Sequence, residues 1–126
     1  DYGTLKKTFS SIYSKLNDNA YFLFDCWNGA AFFMEPPKVK TTVTPHGTYR
    51  YEPTVDYLNS NIMMDVSLND EVGKVITSKL SHTLWTPFSL KSLLLDVGFQ
   101  SVDIYKHFTL ERAVGTEHKL SFVCKK

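Results

Sequence analysis

The chain has 126 residues, 43% hydrophobic and 14% aromatic, so it can bury the core of one compact domain. Its 14 basic and 13 acidic residues leave a formal net charge of +1, so the chain lacks the strong positive charge that binds nucleic acids and anionic membranes. No run approaches the roughly 20 apolar residues that cross a bilayer, and the N-terminus lacks the pattern of a signal peptide. We therefore expect a soluble, cytoplasmic protein without a nucleic-acid or membrane partner.

The first predicted elements are a helix over residues 4–16 and a strand that begins at Tyr21. Apolar residues at helical spacing form one face of the helix, namely Leu5, Phe9, Ile12, Tyr13 and Leu16. After a polar turn, the strand YFLFDCWNG ends with Asp25, Trp27 and Asn28. Because ligands collect at the carboxyl ends of strands in open α/β sheets, these three residues are candidates for a site. The alternative is a core strand that simply runs into a turn.

The pattern changes to period two from residue 38. Residues 38–44 and 48–57 predict a hairpin, and residues 61–68 and 74–84 predict two further strands. Met63 and Met64 are adjacent, so they face opposite sides of a strand, where methionine is typical of a core rather than of a cofactor site. We expect an antiparallel unit of three or four strands.

The last third begins with the most clearly marked helix. Thr86 is a good N-cap, Pro87 suits the first turn and Gly98 is a typical stop, which predicts a helix over residues 87–97. Strands follow at residues 102–105 and 118–124, with a polar loop over residues 109–117. No repeat or low-complexity linker divides the chain.

The order of these segments resembles the C-terminal half of a class I S-adenosylmethionine-dependent methyltransferase. LNDNAYFLFDCWNG stands where the family has a turn and a strand ending in "F-D", and LWTPFSLKSLLLDVGF stands where it has the helix before the last two strands. The insert over residues 38–84 is similar to that of small-molecule and sugar N-methyltransferases. Asn17 to Ala20 replaces the usual Pro-Gly-Gly, and Ser89 replaces a common acid. The resemblance implies an α/β fold, a single partial domain over residues 1–126, and an insert that shapes the acceptor pocket.

The sequence lacks the strand, Gly-rich turn and helix that bind a nucleotide-like ligand. In the family, the first half of the domain makes most contacts with S-adenosylmethionine. The resemblance therefore implies that this cofactor is bound only in an intact parent, and that the chain alone is inactive. The alternative is a non-catalytic α+β module that binds a ligand or self-associates.

Candidate site residues follow from the resemblance and from the residue types. Asp25, Trp27, Asn28, Tyr51 and Trp85 are predicted to bind a small-molecule methyl acceptor, since aromatic faces can line a cationic site. The further lining candidates are Tyr49 and Tyr57, and those for proton handling are Asp25, His46 and His82. The catalytic and cofactor-binding residues stay unassigned.

Other chemistries have little support. The four histidines are far apart in sequence and no CxxC is present, so no metal is predicted. Ser10, Ser11 and Ser14 lack the G-x-S-x-G of a hydrolase.

Two further expectations concern cysteines and surface. The family's antiparallel pairing of the first and last strands places Cys26 and Cys124 at different levels, which implies reduced thiols rather than a disulfide. A sheet without its first four strands exposes apolar surface. We expect a homodimer, or a swapped arrangement, to cover Phe9, Ile12 and the Tyr21 edge, and the missing N-terminal half is the other expected partner.

Overall fold

The computed structural model describes residues 1–126, which form two compact units. The first unit contains Asp1–Ala31 and Trp85–Lys126, and the second contains Phe32–Leu84. In chain order the elements are α1 Tyr2–Lys15, β1 Tyr21–Trp27, α2 Gly29–Met34, β2 Lys40–Thr44, β3 Gly47–Asp56, β4 Asn61–Asn69, β5 Val75–Thr83, α3 Pro87–Val97, β6 Ser101–Lys106 and β7 Lys119–Lys125. None of the helices is long and apolar enough to span a membrane.

The first unit is built on a three-stranded sheet in the order β1-β7-β6. Both neighbouring pairs are antiparallel, so β1 and β6 run parallel to each other on either side of β7. The predicted pairing of the Tyr21 strand with the Leu120 strand is confirmed, with Phe24 opposite Phe122. The expectation that all three strands would be mutually adjacent is wrong for β1 and β6, because β7 separates them.

The two long helices begin and end where local chemistry favours it. Asp1 caps α1, accepting a hydrogen bond from the Thr4 amide at 2.8 Å, so α1 starts two residues before the predicted position. Thr86 caps α3 and Gly98 ends it in a left-handed backbone at φ 124°, as predicted. A Cβ at Gly98 would also lie 3.1 Å from the Tyr13 ring, so this corner requires glycine.

One face of the three-stranded sheet carries the core of the unit. Its buried members come from α1, α3 and the inward positions of the strands, namely Phe9, Leu90, Leu93, Leu94, Phe99, Val102, Leu120, Phe122 and Cys124. Phe24 stacks on Phe122 at 4.9 Å between ring centroids, and Phe9 lies 5.5 Å from Phe24. Phe9 is therefore buried by its own chain, and the expectation that it needs an external partner is wrong.

The opposite face of the same sheet is open. Side chains alternate along β1, so Tyr21 and Leu23 point away from the core and are 57% and 64% exposed. Phe108, in the loop after β6, is 83% exposed and has a left-handed backbone at φ 53°. These three residues give this sheet face an exposed apolar surface, whereas Phe9 of α1 is buried on the opposite face.

The second unit contains a four-stranded antiparallel sheet in the order β2-β3-β4-β5. The predicted hairpin closes at Gly47, where a Cβ would lie 2.3 Å from the Asn69 carbonyl oxygen. Met64 is 2% exposed and Met63 is 52% exposed, which confirms that the two methionines face opposite sides. The antiparallel β insert predicted over residues 38–84 is therefore present.

Cys26 and Cys124 are both free thiols in the first unit. Cys26 lies opposite Leu120 and Cys124 lies opposite Phe22, so the two cysteines occupy different levels of the β1–β7 pair. Burial, together with nearby Asp25 and Asp103 respectively, raises the pKa of each thiol to about 12. Such thiols stay protonated near neutral pH and are poor nucleophiles.

Candidate functional site

The carboxyl end of β1 brings three of the predicted site residues together. Trp27 is the last residue of β1, and Asn28 forms a parallel bridge with Trp85, just before α3. The Gly29 amide donates to the Trp85 carbonyl oxygen at 2.9 Å. Both tryptophans of the chain are therefore held at one corner of the first unit.

Asn28 is fully buried, and its side chain is satisfied within its own unit. Its Nδ2 donates to the carbonyl oxygens of Gly115 and Glu117, both at 2.9 Å. Its Oδ1 accepts from the Ala30 amide at 3.1 Å, and its own amide donates to the His118 carbonyl oxygen at 2.9 Å. The amide group is therefore already committed to holding the loop before β7 against the end of β1.

The loop that Asn28 holds is shaped by a carboxylate. Glu117 accepts hydrogen bonds from the Val114 amide at 3.1 Å and from the Gly115 amide at 2.9 Å, one on each carboxylate oxygen. These backbone donors, with Val114 the largest contributor, lower the pKa of Glu117 below its ordinary value of 4.5. The carboxylate is ionised at neutral pH and closes a tight turn.

Asp25 lies on the open face of the sheet. It is opposite Ser121 in the β1–β7 register, and both line a cavity of about 180 Å³. The other lining residues are Leu23, Phe24, Phe108, Phe122 and Val123. Because side chains alternate along a strand, Asp25 and Trp27 belong to the same face of β1.

Tyr51 belongs to the second unit, whereas the other four predicted acceptor-binding residues belong to the first. It pairs with Val66 of β4, and its hydroxyl donates to Met64 Sδ. Burial raises the pKa of Tyr51 above its ordinary value of 10. The phenol is therefore a neutral donor on the inner part of the insert sheet.

The remaining lining and proton-handling candidates also lie in the second unit. Tyr49 and His82 are on β3 and β5, whereas His46 occupies the tight turn between β2 and β3. Tyr57 follows β3 and lies 5.8 Å from Phe33 between ring centroids. The structure does not group these residues around a common point within the insert.

No glycine turn of the chain has the free amides that would hold a nucleotide-like cofactor. The only strand-to-helix turn with a glycine at its apex is Asn28-Gly29, and the Gly29 amide is already bonded to Trp85. Gly98 ends a helix and Gly47 closes a hairpin, so neither presents free amides to a ligand. The residues present do not fit the phosphate- or ribose-binding pattern of a nucleotide-like cofactor.

Two features of this corner were not predicted from the sequence. The short helix α2, Gly29–Met34, has no predicted counterpart. Glu117 was placed in a polar loop without a role. The available signal was the Val-Gly-Thr-Glu segment, in which an acid follows a glycine that can adopt φ 95°.

No protein-family model matches the sequence, and neither does any curated protein sequence. Solved structures do match. A S-adenosylmethionine-dependent methyltransferase from Clostridium acetobutylicum ATCC 824 superposes with a TM-score of 0.82 at 14% identity, covering 99% of this chain and 52% of that chain. The CcbJ methyltransferase from Streptomyces caelestis gives a TM-score of 0.81 at 13% identity, covering 98% and 50%.

A third similar structure is CalS10 with S-adenosylmethionine bound, an amino pentose methyltransferase from Micromonospora echinaspora involved in calicheamicin biosynthesis. It gives a TM-score of 0.71 at 12% identity, covering 99% of this chain and 51% of that chain. The mixed α/β fold of the chain thus matches about half of the fold of these methyltransferases, as predicted. The chain spans about half the length of each of these proteins, which is consistent with the predicted C-terminal half.

Proposed function

We propose that this chain is the C-terminal, acceptor-binding portion of a small-molecule methyltransferase that uses S-adenosylmethionine. The observation that carries the proposal is the superposition of 99% of the chain on 52% of a methyltransferase with a TM-score of 0.82. The corner formed by Trp27, Asn28 and Trp85 supports it, because it lies at the carboxyl end of β1, where ligands bind in such sheets.

In this proposal the chain binds and orients the acceptor. Trp27 and Trp85 supply flat apolar walls that exclude water, and Tyr51 keeps its predicted role as an acceptor-binding residue. Asp25 is the carboxylate available on the same face of β1 as Trp27, so it is the first candidate to take a proton from an amine or hydroxyl acceptor. Asn28 contributes through the backbone positions that it fixes. Methyl transfer depends mainly on such alignment, since misplacement of a reactant by about 1 Å can cost about 10²-fold in rate.

The cofactor is assigned to the other half of the intact parent. S-adenosylmethionine supplies a methyl group on a sulfonium that is already a good leaving group. The chain has no turn of free amides that fits it, so we expect the isolated chain to be inactive.

The open face of the first unit supports the presence of a second half. The connection between the parallel strands β1 and β6 ends with the helix α3, and a right-handed connection places β7 and β6 on one side of β1. The helix α1 lies on the same face as α3, so a strand joined to it from upstream would, by the same rule, fall on the free edge of β1. That half would also cover Tyr21, Leu23 and Phe108.

Calorimetry tests the proposal directly. S-adenosylmethionine and S-adenosylhomocysteine are titrated into this chain and into a protein extended upstream by a similar length. We expect binding and methylation only with the extended protein, and loss of much of the activity in its Trp27→Ala variant. Cofactor binding by neither protein would refute the proposal and favour the non-catalytic module.

A second test concerns association of the isolated chain. We propose that the chain alone forms a homodimer through its open sheet face, since Tyr21, Leu23 and Phe108 are exposed there. Light scattering at micromolar concentration is expected to give twice the monomer mass, and the monomer mass for Leu23→Asp. Leu95→Asp, on an exposed position of α3, is the matched control and should leave the dimer intact. A wild-type monomer would contradict the dimer.

A further inference from the structure

We infer that Glu117 and Asn28 act together as positioning residues that fix the Trp27–Trp85 corner. The catalytic consequence of this inference rests on the proposed function. The corner itself does not, because every contact that builds it lies within the first unit.

The contacts form one continuous series of hydrogen bonds, called here the relay, from Glu117 through the turn to Asn28. The two oxygens of the Glu117 carboxylate accept from the Val114 and Gly115 amides, which closes the turn before β7. The closed turn presents the carbonyl oxygens of Gly115 and Glu117 to Asn28 Nδ2, each at 2.9 Å. The position of the Asn28 backbone then sets both Trp27, its neighbour, and Trp85, its bridge partner.

Each atom in the relay has only one suitable chemistry. Two N–H groups face two separate carboxylate oxygens, so Gln at position 117 would place an NH₂ group against an N–H donor. Two carbonyl oxygens face Asn28 Nδ2, so Asp at position 28 would place an oxygen against them. Asn28 is fully buried, which leaves no water to relieve such a mismatch.

Glu117 is the better position for a test because it lies on a loop, and its change should leave the core intact. The lowered pKa of Glu117 agrees with its two backbone donors. The matched control is Glu111, an acid in the same loop that pairs with Lys106 Nζ at 2.7 Å and has no contact with Asn28.

The experiment compares Glu117→Gln with Glu111→Gln in two proteins. In the 126-residue chain, Trp27 and Trp85 are the only tryptophans, so their fluorescence and near-UV circular dichroism report on the corner. We expect Glu117→Gln to shift the emission to longer wavelength and to increase quenching by acrylamide, with cooperative unfolding retained. Glu111→Gln should match the wild type. Wild-type tryptophan signals in Glu117→Gln would overturn the inference.

The second protein is the chain extended upstream to include the cofactor half. There we expect Glu117→Gln to lower kcat/KM for the acceptor by about 10- to 100-fold, while the Kd for S-adenosylhomocysteine is unchanged. An unchanged kcat/KM together with altered fluorescence would overturn the catalytic part of the inference. An extended wild type without methylation would refute the proposed function and this catalytic part, while the fluorescence of the chain alone still decides the positioning.

Discussion

The two faces of the β1-β7-β6 sheet are formed by the same strands but differ in solvent exposure. One face carries Phe24, Phe122 and Cys124 under α1 and α3, and its residues are buried or half-buried. The other face carries Tyr21 and Leu23, which are more than half exposed, and a shallow cavity beside Phe108. The difference shows that one helical layer is sufficient for a dense core in this unit, and that the open face is the surface available for a second layer.

The most sensitive test of this difference replaces one leucine on each side of the sheet with alanine. Leu94, on α3, is fully buried, and Leu94→Ala should lower the free energy of unfolding by about 2–5 kcal/mol, because it removes packed methyl groups and leaves a cavity. Leu23→Ala should change it by less than about 0.5 kcal/mol in the monomeric chain. Urea denaturation at low protein concentration measures both. Equal losses would mean that the open face is not open in solution.

The next prediction moves Leu23 into the extended protein. If the upstream half covers this face, Leu23 becomes a core residue there, and Leu23→Ala should cost about 2–5 kcal/mol in thermal or urea unfolding. The quantity to compare is the loss of unfolding free energy that Leu23→Ala causes in the extended protein and in the short chain. An equal loss in the two proteins would show that the second half packs elsewhere.

A smaller effect is expected at the end of α3, on the covered side. Gly98→Ala forces an L-residue into φ 124° and brings a Cβ to 3.1 Å from the Tyr13 ring. We expect a loss of about 1–3 kcal/mol, measured by thermal unfolding. Gly73→Ala is a useful comparison, since Gly73 has φ 81° but nothing within 4 Å of its Cβ position. A loss at Gly98 no greater than that at Gly73 would remove the steric part of the explanation.

The smallest expected effect concerns pH. The pKa of Glu117 is lower in the folded chain than its ordinary value of 4.5, so its contribution to stability is present above that pH and is lost as the pH falls through the lower folded value. Wild type should therefore lose more stability than Glu117→Gln as acid is added below about pH 4.5. Parallel pH profiles for the two proteins would contradict the assignment of the Glu117 hydrogen bonds.

The sequence predicted well those elements whose causes are local. The limits of α3 follow from Thr86, Pro87 and Gly98, and the insert strands follow from period-two patterns and turn residues. The helix α2 was missed because it has only six residues, and its first turn is stabilised by the side chain of Asn28 rather than by its own pattern. The pairing of β1 with β7 came from the family resemblance, since alternation alone does not choose a partner strand.

The candidate site was predicted less completely, for a related reason. Trp27, Asn28 and Trp85 were selected singly, and only the structure brings Asn28 and Trp85 into a bridge. The partners of Asn28 are backbone carbonyls 87 and 89 positions along the chain, so no sequence pattern indicates them. Glu117 binds backbone amides, which do not depend on residue type, so no sequence pattern indicates this contact either. The acceptor-binding role of Tyr51, in the second unit, stays a prediction.

The central position of β7 also sets the order in which the protein can fold as it leaves the ribosome. The strands β2 to β5 each pair with a neighbour in sequence, so the insert sheet can form while later residues are still being made. By contrast, β1 finds its partner only when Lys119–Lys125 has emerged, because Tyr21 pairs with Lys125. Throughout this interval the aromatic strand YFLFDCW lacks its β7 partner. Until then its aromatic side chains lack part of their packing, so slow translation or a chaperone that shields Phe22 and Phe24 should raise the yield of folded protein.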